Sequence, residues 1–310
     1  MAMTHEEQFG PVARRMRKLR RGFRWTAKTI LGAPRTMLVE TRWRLGDEIM
    51  MLPVFDAMRH KYPAAHIAVL TNYPELYENH PFVDSVNDVP DKLDRHLLLR
   101  GAPRTAYRLS HYARRAGVPL PKLRPHLYYD DWTAPPLPEL PGGEGPLIAL
   151  AQGASWSTKR WLPERWRELA RALEERGARL VELGKGEAAI GAGLCLVDRT
   201  TVREAACVLH HADLLVCCDS GLMHLALAAA TPVVALFGPT DPAILIRNEP
   251  NFTAIRSTLP CSGHWNRPGG NAREGVCPEG HACCLADISV DQVLDAAGAR
   301  VILTNEGGHG

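Results

Sequence analysis

The run Cys218-Asp219-Ser220-Gly221-Leu222-Met223-His224 joins an apolar stretch at 214–217 to a second apolar stretch at 222–230. The first is short and β-like, and the second is long enough for helix. The pattern predicts a strand, a tight turn and a helix N-terminus. Such a terminus offers unpaired amide N–H groups and the positive end of the helix dipole to an anion. Ser220 and Gly221 supply the amides, Gly221 lets a phosphate approach the backbone, and His224 lies one turn into the helix. The same residues also suit an ordinary cap, with Asp219 or Ser220 capping the helix and His224 satisfied in the core. Eight residues on, residues 232–242 (PVVALFGPTDP) read as a buried strand ending in a turn. Thr240 and Asp241 stand there either to contact a nucleotide or to shape the turn.

Elements that could position these residues are legible on both sides. Residues 35–41, 66–71 and 82–87 read as strands, and 47–62 and 105–117 as helices. Residues 133–146 then interrupt all periodicity with five Pro and three Gly, the pattern of a linker. Alternation resumes with strands at 147–151, 178–183, 214–217 and 232–237. Helices follow Pro163 and span 202–211, 222–230 and 289–299. This succession predicts parallel sheets with crossover helices, in two doubly wound α/β halves with a cleft between them. In such sheets ligands bind at the carboxyl ends of the strands.

Composition narrows the partners. Residues 14–28 carry eight Arg and Lys and no acid; without them a chain of net charge +3 falls to about −5. The body is therefore mildly acidic, which argues against nucleic acid. Met16, Leu19, Phe23 and Ile30 among those bases suit a helix lying on an anionic membrane surface, and equally a solvated tail. No apolar run approaches the roughly 20 residues needed to span a bilayer, and no apolar segment follows the N-terminal bases as a signal peptide requires. A cytoplasmic location is expected. Four of the eight cysteines (195, 207, 217 and 218) lie in apolar segments; Cys261, Cys277, Cys283 and Cys284 crowd into 24 residues. A disulfide framework is not expected in the cytoplasm. No G-x-G-x-x-G dinucleotide fingerprint is present, which argues against a dehydrogenase.

Three segments together resemble glycosyltransferase family 9, the ADP-heptose:lipopolysaccharide heptosyltransferases. They are residues 44–53 (RLGDEIMMLP) with the Lys61-Tyr62-Pro63 that follows, residues 157–166 (STKRWLPERW), and residues 219–242. The resemblance runs from about residue 36 to residue 300. It implies a GT-B architecture of two Rossmann-like domains facing across a cleft, and an inverting transfer that requires no metal. It divides the chain into a basic extension (1–33), an acceptor-binding domain (34–132), the linker (133–146) and a nucleotide-sugar domain (147–310) with a Cys-rich loop at 261–284.

By the same resemblance Asp47 is the general base, although Gly-Asp before an apolar helix is also a common cap. Lys159 meets the donor diphosphate. Ser220, Gly221 and His224 complete the phosphate cradle, and Asp219 bonds the donor sugar or shapes the loop. Glu187 approaches the nucleotide ribose. Cys261, His264, Cys277 and Cys283 or Cys284 would hold a structural zinc or iron ion. The implied activity is transfer of heptose from ADP-heptose to a lipopolysaccharide-core or related glycan or glycolipid acceptor, at the inner membrane surface. Three alternatives stay open: a protein heptosyltransferase, a transferase using another nucleotide sugar, and an inactive nucleotide-sugar-binding scaffold. A nucleotide-sugar epimerase of related fold is a further, weaker alternative.

Overall fold

The structure, a computed structural model, describes residues 33–122, 124–133, 139–247, 249–267, 277 and 283–303, with Cys283 by its backbone alone. The basic stretch 14–28, the middle of the expected linker and the side chain of Cys283 lie outside the described residues.

Two parallel sheets organise the chain. The first contains β1 (Thr36–Glu40), β2 (His66–Leu70), β3 (Ser85–Val86) and β4 (Arg95–Leu98), in the order β3-β2-β1-β4. The second contains β5 (Leu147–Ala151), β6 (Arg179–Glu182), β7 (Leu194–Cys195), β8 (Leu214–Cys218), β9 (Val233–Phe237) and β10 (Phe252–Arg256), in the order β10-β9-β8-β5-β6-β7. In each sheet the earliest strand is interior and the chain winds outward from it, which places a switch of direction at its carboxyl edge. The helices are α1 (Leu45–Lys61), α2 (Arg108–Ala116), α3 (Pro163–Glu174), α4 (Val202–His211), α5 (Gly221–Ala228), α6 (Cys283–Ala286) and α7 (Val290–Gly298).

Each element read from the sequence is present within a few residues. Strands β4, β7 and β10 were not expected. β4 and β10 are edge strands with mixed polar residues, and β7 is two residues long, so none carries a continuous apolar run.

Strand alternation explains the layers. On the second sheet Ile148, Leu150, Val216, Val234 and Leu236 face Trp166, Leu169 and Leu173 of α3 and Val293 of α7. Ala149, Ala151, Leu215, Cys217 and Ala235 face the other way, into a core shared with α4 and α5. That core continues without a break through α1 and α2 to Met37, Val39, Ile67 and Val69 of the first sheet. The opposite face of the first sheet, Leu38, Ala68 and Leu70, is closed by Val89 and Leu93 rather than by a helix among the described residues. The connection from β3 to β4 is eight residues, 87–94, too short for a helical crossover of a dozen or more. Among the described residues no helix is long and apolar enough to cross a membrane.

Candidate active site

The site forms where α1 of the first half crosses α5 of the second. A Cβ on Gly46 would stand 2.7 Å from His224 Cδ2, and one on Gly221 would stand 3.2 Å from Leu45 Cβ. Glycine at 46 permits this close approach, and glycine at 221 avoids a tight contact with Leu45. The crossing sets Asp47 beside the turn that begins α5. The resulting cleft, of about 120 Å³, is lined by Arg44, Asp47, Arg108, Lys159, Asp219, Ser220, Gly221, His224 and Thr240, with Trp156 and Trp265 as walls. The strand ends that carry the second-half residues are the carboxyl ends of β5, β8 and β9, as expected for such sheets.

Asp47 accepts a hydrogen bond of 2.7 Å from the Tyr112 hydroxyl on Oδ1. Tyr112 is fully buried, and burial first, then the Asp47 charge, pushes its phenol far above the ordinary tyrosine range, so it donates and does not ionise. Asp47 therefore has a fixed orientation and one oxygen left for another proton. Arg108, at the start of α2, borders the same cleft; its Nε is buried with no partner among the described residues.

Across the cleft Lys159 Nζ donates to Asp219 at 2.6 Å and lies 4.2 Å from the Trp156 ring centre. Thr240 Oγ1 donates to the same carboxylate oxygen at 2.6 Å. Burial alone would raise the pKa of Asp219, but the Lys159 charge and these hydrogen bonds outweigh it and hold the carboxyl below its usual range. Asp219 thus anchors Lys159 and Thr240 instead of projecting freely into the cleft. His224 is buried and its pKa is lowered to about 4, chiefly by burial. It presents a neutral imidazole, able to hydrogen-bond a ligand.

α4 and α7 begin with complete capping boxes, Thr201 with Glu204 and Ser289 with Gln292. α1, α2 and α5 begin at Arg44, Tyr107 and Ser220 with no side-chain cap. These three N-termini border the cleft; α3, which does not, is likewise uncapped at Leu162 and starts with Pro163. Ser220 occupies the N-cap position, yet its buried Oγ has no partner among the described residues. Buried polar atoms are normally paired, so unpaired ones converging on a concave site point to a ligand.

A second cavity, of about 380 Å³, adjoins the cleft through Ser155, Ser220 and Gly221. Leu45, Tyr73, Val202, Ala205, Leu222 and Leu225 give it apolar walls, and Glu187 stands at its far side. The Glu187 carboxylate lies against Gly153 and Gly184, where any Cβ would collide with it, and accepts from the Lys185 amide at 3.0 Å. Burial raises its pKa.

Asp241 is not part of either cavity. Its Oδ1 accepts from the Ala243 amide at 3.1 Å and meets Arg256 at 3.5 Å, so it shapes the turn, the second of the two roles expected of it. Of the expected metal ligands, Cys284 is buried against Gly238, its Sγ 2.9 Å from where a Cβ there would stand. His264 is buried and its Nδ1 meets the Cys261 carbonyl at 3.1 Å. Among the described residues no three His, Cys, Asp or Glu side chains gather as a metal site.

Sequence reading did not single out Tyr112, Arg108, Trp156, Trp265 or Glu48. Tyr112 lies 65 residues from Asp47 and no spacing rule joins them. Glu48 had a signal, an acid directly after Asp47 in an otherwise apolar run. It is fully buried, and desolvation raises its pKa to about 7. Its carboxylate accepts from Thr41 Oγ1 (2.9 Å), the Trp43 amide (2.9 Å) and Thr71 Oγ1, tying the carboxyl ends of β1 and β2 to the first turn of α1.

Comparison with known proteins fits this architecture. Residues 104–269 match the model of glycosyltransferase family 9 (heptosyltransferase). Lipopolysaccharide heptosyltransferase 1 of Pseudomonas aeruginosa is 34% identical over 150 residues, which are 41% of this chain and 42% of that protein. Lipopolysaccharide heptosyltransferase 2 of Escherichia coli is 29% identical over 179 residues, 51% of this chain and 48% of that protein. The chain thus spans about half the length of the curated relatives it matches. The solved structure of E. coli ADP-heptose LPS heptosyltransferase II superposes with a TM-score of 0.65 at 20% identity, over 85% of this chain and 98% of that one. The iron-containing dodecameric glycosyltransferase TibC of enterotoxigenic E. coli superposes with a TM-score of 0.73 at 16% identity, over 87% and 76%. These neighbours share the two-sheet α/β fold of the GT-B type. With a family match over more than half its length, the chain belongs to glycosyltransferase family 9 (heptosyltransferase).

Proposed function

We propose that this chain is an inverting glycosyltransferase that moves heptose from ADP-heptose to an acceptor hydroxyl of a lipopolysaccharide-core or related surface glycan. The observation that carries the reading is the opposition of Asp47, oriented by Tyr112, to the uncapped N-terminus of α5 with its unpartnered Ser220 Oγ.

In this reading the adenosine occupies the larger cavity with its ribose toward Glu187, whose carboxylate can bridge two hydroxyls. The diphosphate lies at Ser220 and Gly221, where free amides and the helix dipole favour negative charge. Lys159 supplies the positive charge that the departing diphosphate needs as the glycosidic bond breaks. His224, neutral, contributes a hydrogen bond. The acceptor oxygen attacks the anomeric carbon from the face opposite the diphosphate. Its proton passes to Asp47, the bond from carbon to phosphate oxygen breaks, ADP leaves with the electron pair, and the anomeric centre inverts. Charge stabilisation by Lys159 and the α5 amides supports a transfer that needs no catalytic metal.

Two further expectations belong to this proposal. The first is the division into an acceptor half and a donor half, with the basic stretch 14–28 holding the protein at the cytoplasmic face of a membrane. The second is a structural zinc or iron ion on the Cys-rich segment. Thiolates and imidazole suit either metal, and His264, with Nδ1 engaged, would ligate through Nε2. Elemental analysis of the purified protein tests it; a preparation with neither metal, made in medium containing both, sinks it.

The function is tested with a thermal-shift panel of ADP, UDP, GDP and CMP, followed by transfer assays. ADP at about 100 times its dissociation constant should add roughly 2.7 kcal/mol. Asp47→Ala should lower turnover by about 10³ while leaving ADP affinity unchanged. A shift with UDP or GDP alone removes the adenosine donor, and an Asp47 variant of undiminished turnover removes the base. Nucleotide binding without turnover toward any acceptor, in the intact chain, leaves the scaffold reading.

A further inference from the structure

Glu48 is a fully buried carboxyl group that the proposed transfer does not use, placed directly after the proposed base. Among the described residues it makes no ion pair. Burying a carboxylate without a cation is costly, and a glutamine would fill the same space without that cost. Ionisable groups kept in such surroundings cluster at functional sites.

Its partners show what the carboxylate holds. Oε1 faces two backbone amides, Trp43 at 2.9 Å and Asn72 at 3.5 Å. Oε2 accepts from the Thr41 and Thr71 hydroxyls. Trp43 lies in the loop that enters α1, and Asn72 lies in the loop that leaves β2. The Asn72 side chain closes the pair by donating to the Trp43 carbonyl at 3.3 Å. One carboxylate thus clamps two loops. The first leads into Leu45 and Asp47, and the second leads into Tyr73, whose amide donates to Thr71 Oγ1 at 2.9 Å. Leu45 and Tyr73 form the wall of the larger cavity on the side of the first half, while Asp47 lines the cleft.

The clamp depends on charge. Amides only donate, so a proton on Glu48 must sit on Oε2, where it displaces one of the two hydroxyl donors. The bonds to Trp43 and Asn72 then lose their charge assistance, which is worth about half their strength. Burial opposes ionisation and raises the Glu48 pKa to about 7, so both forms are populated near neutral pH. The titratable groups packed against it do not change state there. Burial and the Glu48 charge hold the Tyr73 and Tyr77 phenols above the ordinary tyrosine range. His80, behind Tyr77, is neutral, its pKa lowered to about 4 by burial. Glu40, on the opposite face of β1, is paired with Arg42, and Arg44 and Asp47 line the cleft.

We infer that Glu48 is a positioning residue: its ionised carboxylate seats the base Asp47 and the cavity wall at Tyr73 together, so transfer speeds up as Glu48 loses its proton. The inference rests on reading the cleft as a transferase site. It adds a group that touches neither donor nor acceptor and yet sets the pH dependence of the reaction.

The test uses the full chain and Glu48→Gln, which keeps the shape and removes the charge. Amide NMR from about pH 5.5 to about pH 8.5 follows Trp43, Asn72, Tyr73 and Asp47. In the wild type these amides should move together with a midpoint of about 7, and in the variant none should. Thr71→Val should uncouple Tyr73 alone. In parallel, ADP-heptose is given as donor with water in place of the acceptor hydroxyl. Water attacks the anomeric carbon, its proton passes to Asp47, and ADP leaves with the electron pair. Wild-type turnover should rise roughly tenfold across the same midpoint. Glu48→Gln should stay near the low-pH rate throughout, with a melting temperature no lower than that of the wild type. A merely structural residue would show the reverse, lost stability with an unchanged profile. Amides that do not titrate, a titration that survives in Glu48→Gln, or a turnover profile that the substitution leaves unchanged would each overturn the inference. A wild-type chain that neither binds ADP nor cleaves ADP-heptose would instead remove the underlying transferase reading.

Discussion

The two sheets are made from the same kind of buried parallel strand but are supported differently. The six-stranded sheet carries a helical layer on each face, α3 and α7 on one side and α4 and α5 on the other. The four-stranded sheet has helices on one face only among the described residues, and those helices lean on α5 of its neighbour. The second half has packed layers on both faces of its sheet, whereas the helices of the first cover one face and meet the second half through the α1–α5 contact. That contact also assembles the site. The half that contributes the proposed base is therefore expected to depend on docking for its stability, and the half that contributes the phosphate-binding elements to act as the frame.

The comparison breaks most directly at Phe55, which is fully buried on α1 within the shared core. Phe55→Ala should cost about 3–5 kcal/mol. Hydrogen exchange should show β1 and β2 losing protection while β5, β8 and β9 keep most of theirs. Equal loss in both sheets would mean that they fold as one unit and the comparison is wrong.

Glu48 probes the same half through pH. Its pKa is raised by burial from 4.5 to about 7, so the folded state favours the protonated form. The stability that this shift contributes is fully present below pH 4.5 and is lost as pH rises through about 7. Glu48→Gln, neutral throughout, should therefore gain about 2–3 kcal/mol on the wild type between pH 5 and pH 8. Denaturant melts at the two pH values check it; parallel pH profiles for the two proteins would show that the carboxylate is well solvated or fully compensated.

At the crossing itself, Gly46→Ala places a methyl 2.7 Å from His224 Cδ2. Overpacking should cost about 1–3 kcal/mol, and turnover should fall by more than ADP affinity, because the element expected to yield is α1, which carries Asp47, rather than α5, which carries His224. A variant that loses ADP affinity first would show that the donor elements, rather than α1, give way.

The smallest effect separates capped from uncapped helix ends. Thr201→Ala removes the capping box of α4 and should cost about 1 kcal/mol. Ser220→Ala removes no cap bond, so it should leave the melting temperature nearly unchanged and weaken ADP binding. The opposite pattern would assign Ser220 to structure alone.

Much of this molecule is written in short stretches of sequence. The alternation of apolar strands with helices of 3.6-residue period is a local property of each segment, so both α/β halves were legible from residue types alone. Gly221 and Ser220 at a strand-to-helix turn were legible for the same reason, since the turn and the helix end are built from neighbours in the chain. The edge strands β4 and β10 were not, because their pattern becomes meaningful only when β1 or β9 lies alongside. The site divides in the same way. Asp47 and Lys159 came from motifs, but Tyr112 reaches Asp47 only because α2 packs on α1, and Asp219 turns inward only because Lys159 and Thr240 converge on it. The low pKa of His224 and the packing of α1 against α5 likewise arise from burial and from contacts between residues far apart in sequence. The sequence alone determined the helices and the apolar interior strands and which chemical groups they carry. Only the tertiary structure decided which groups meet and in what charge state, because burial and electrostatic coupling depend on distances in space that spacing along the chain does not encode.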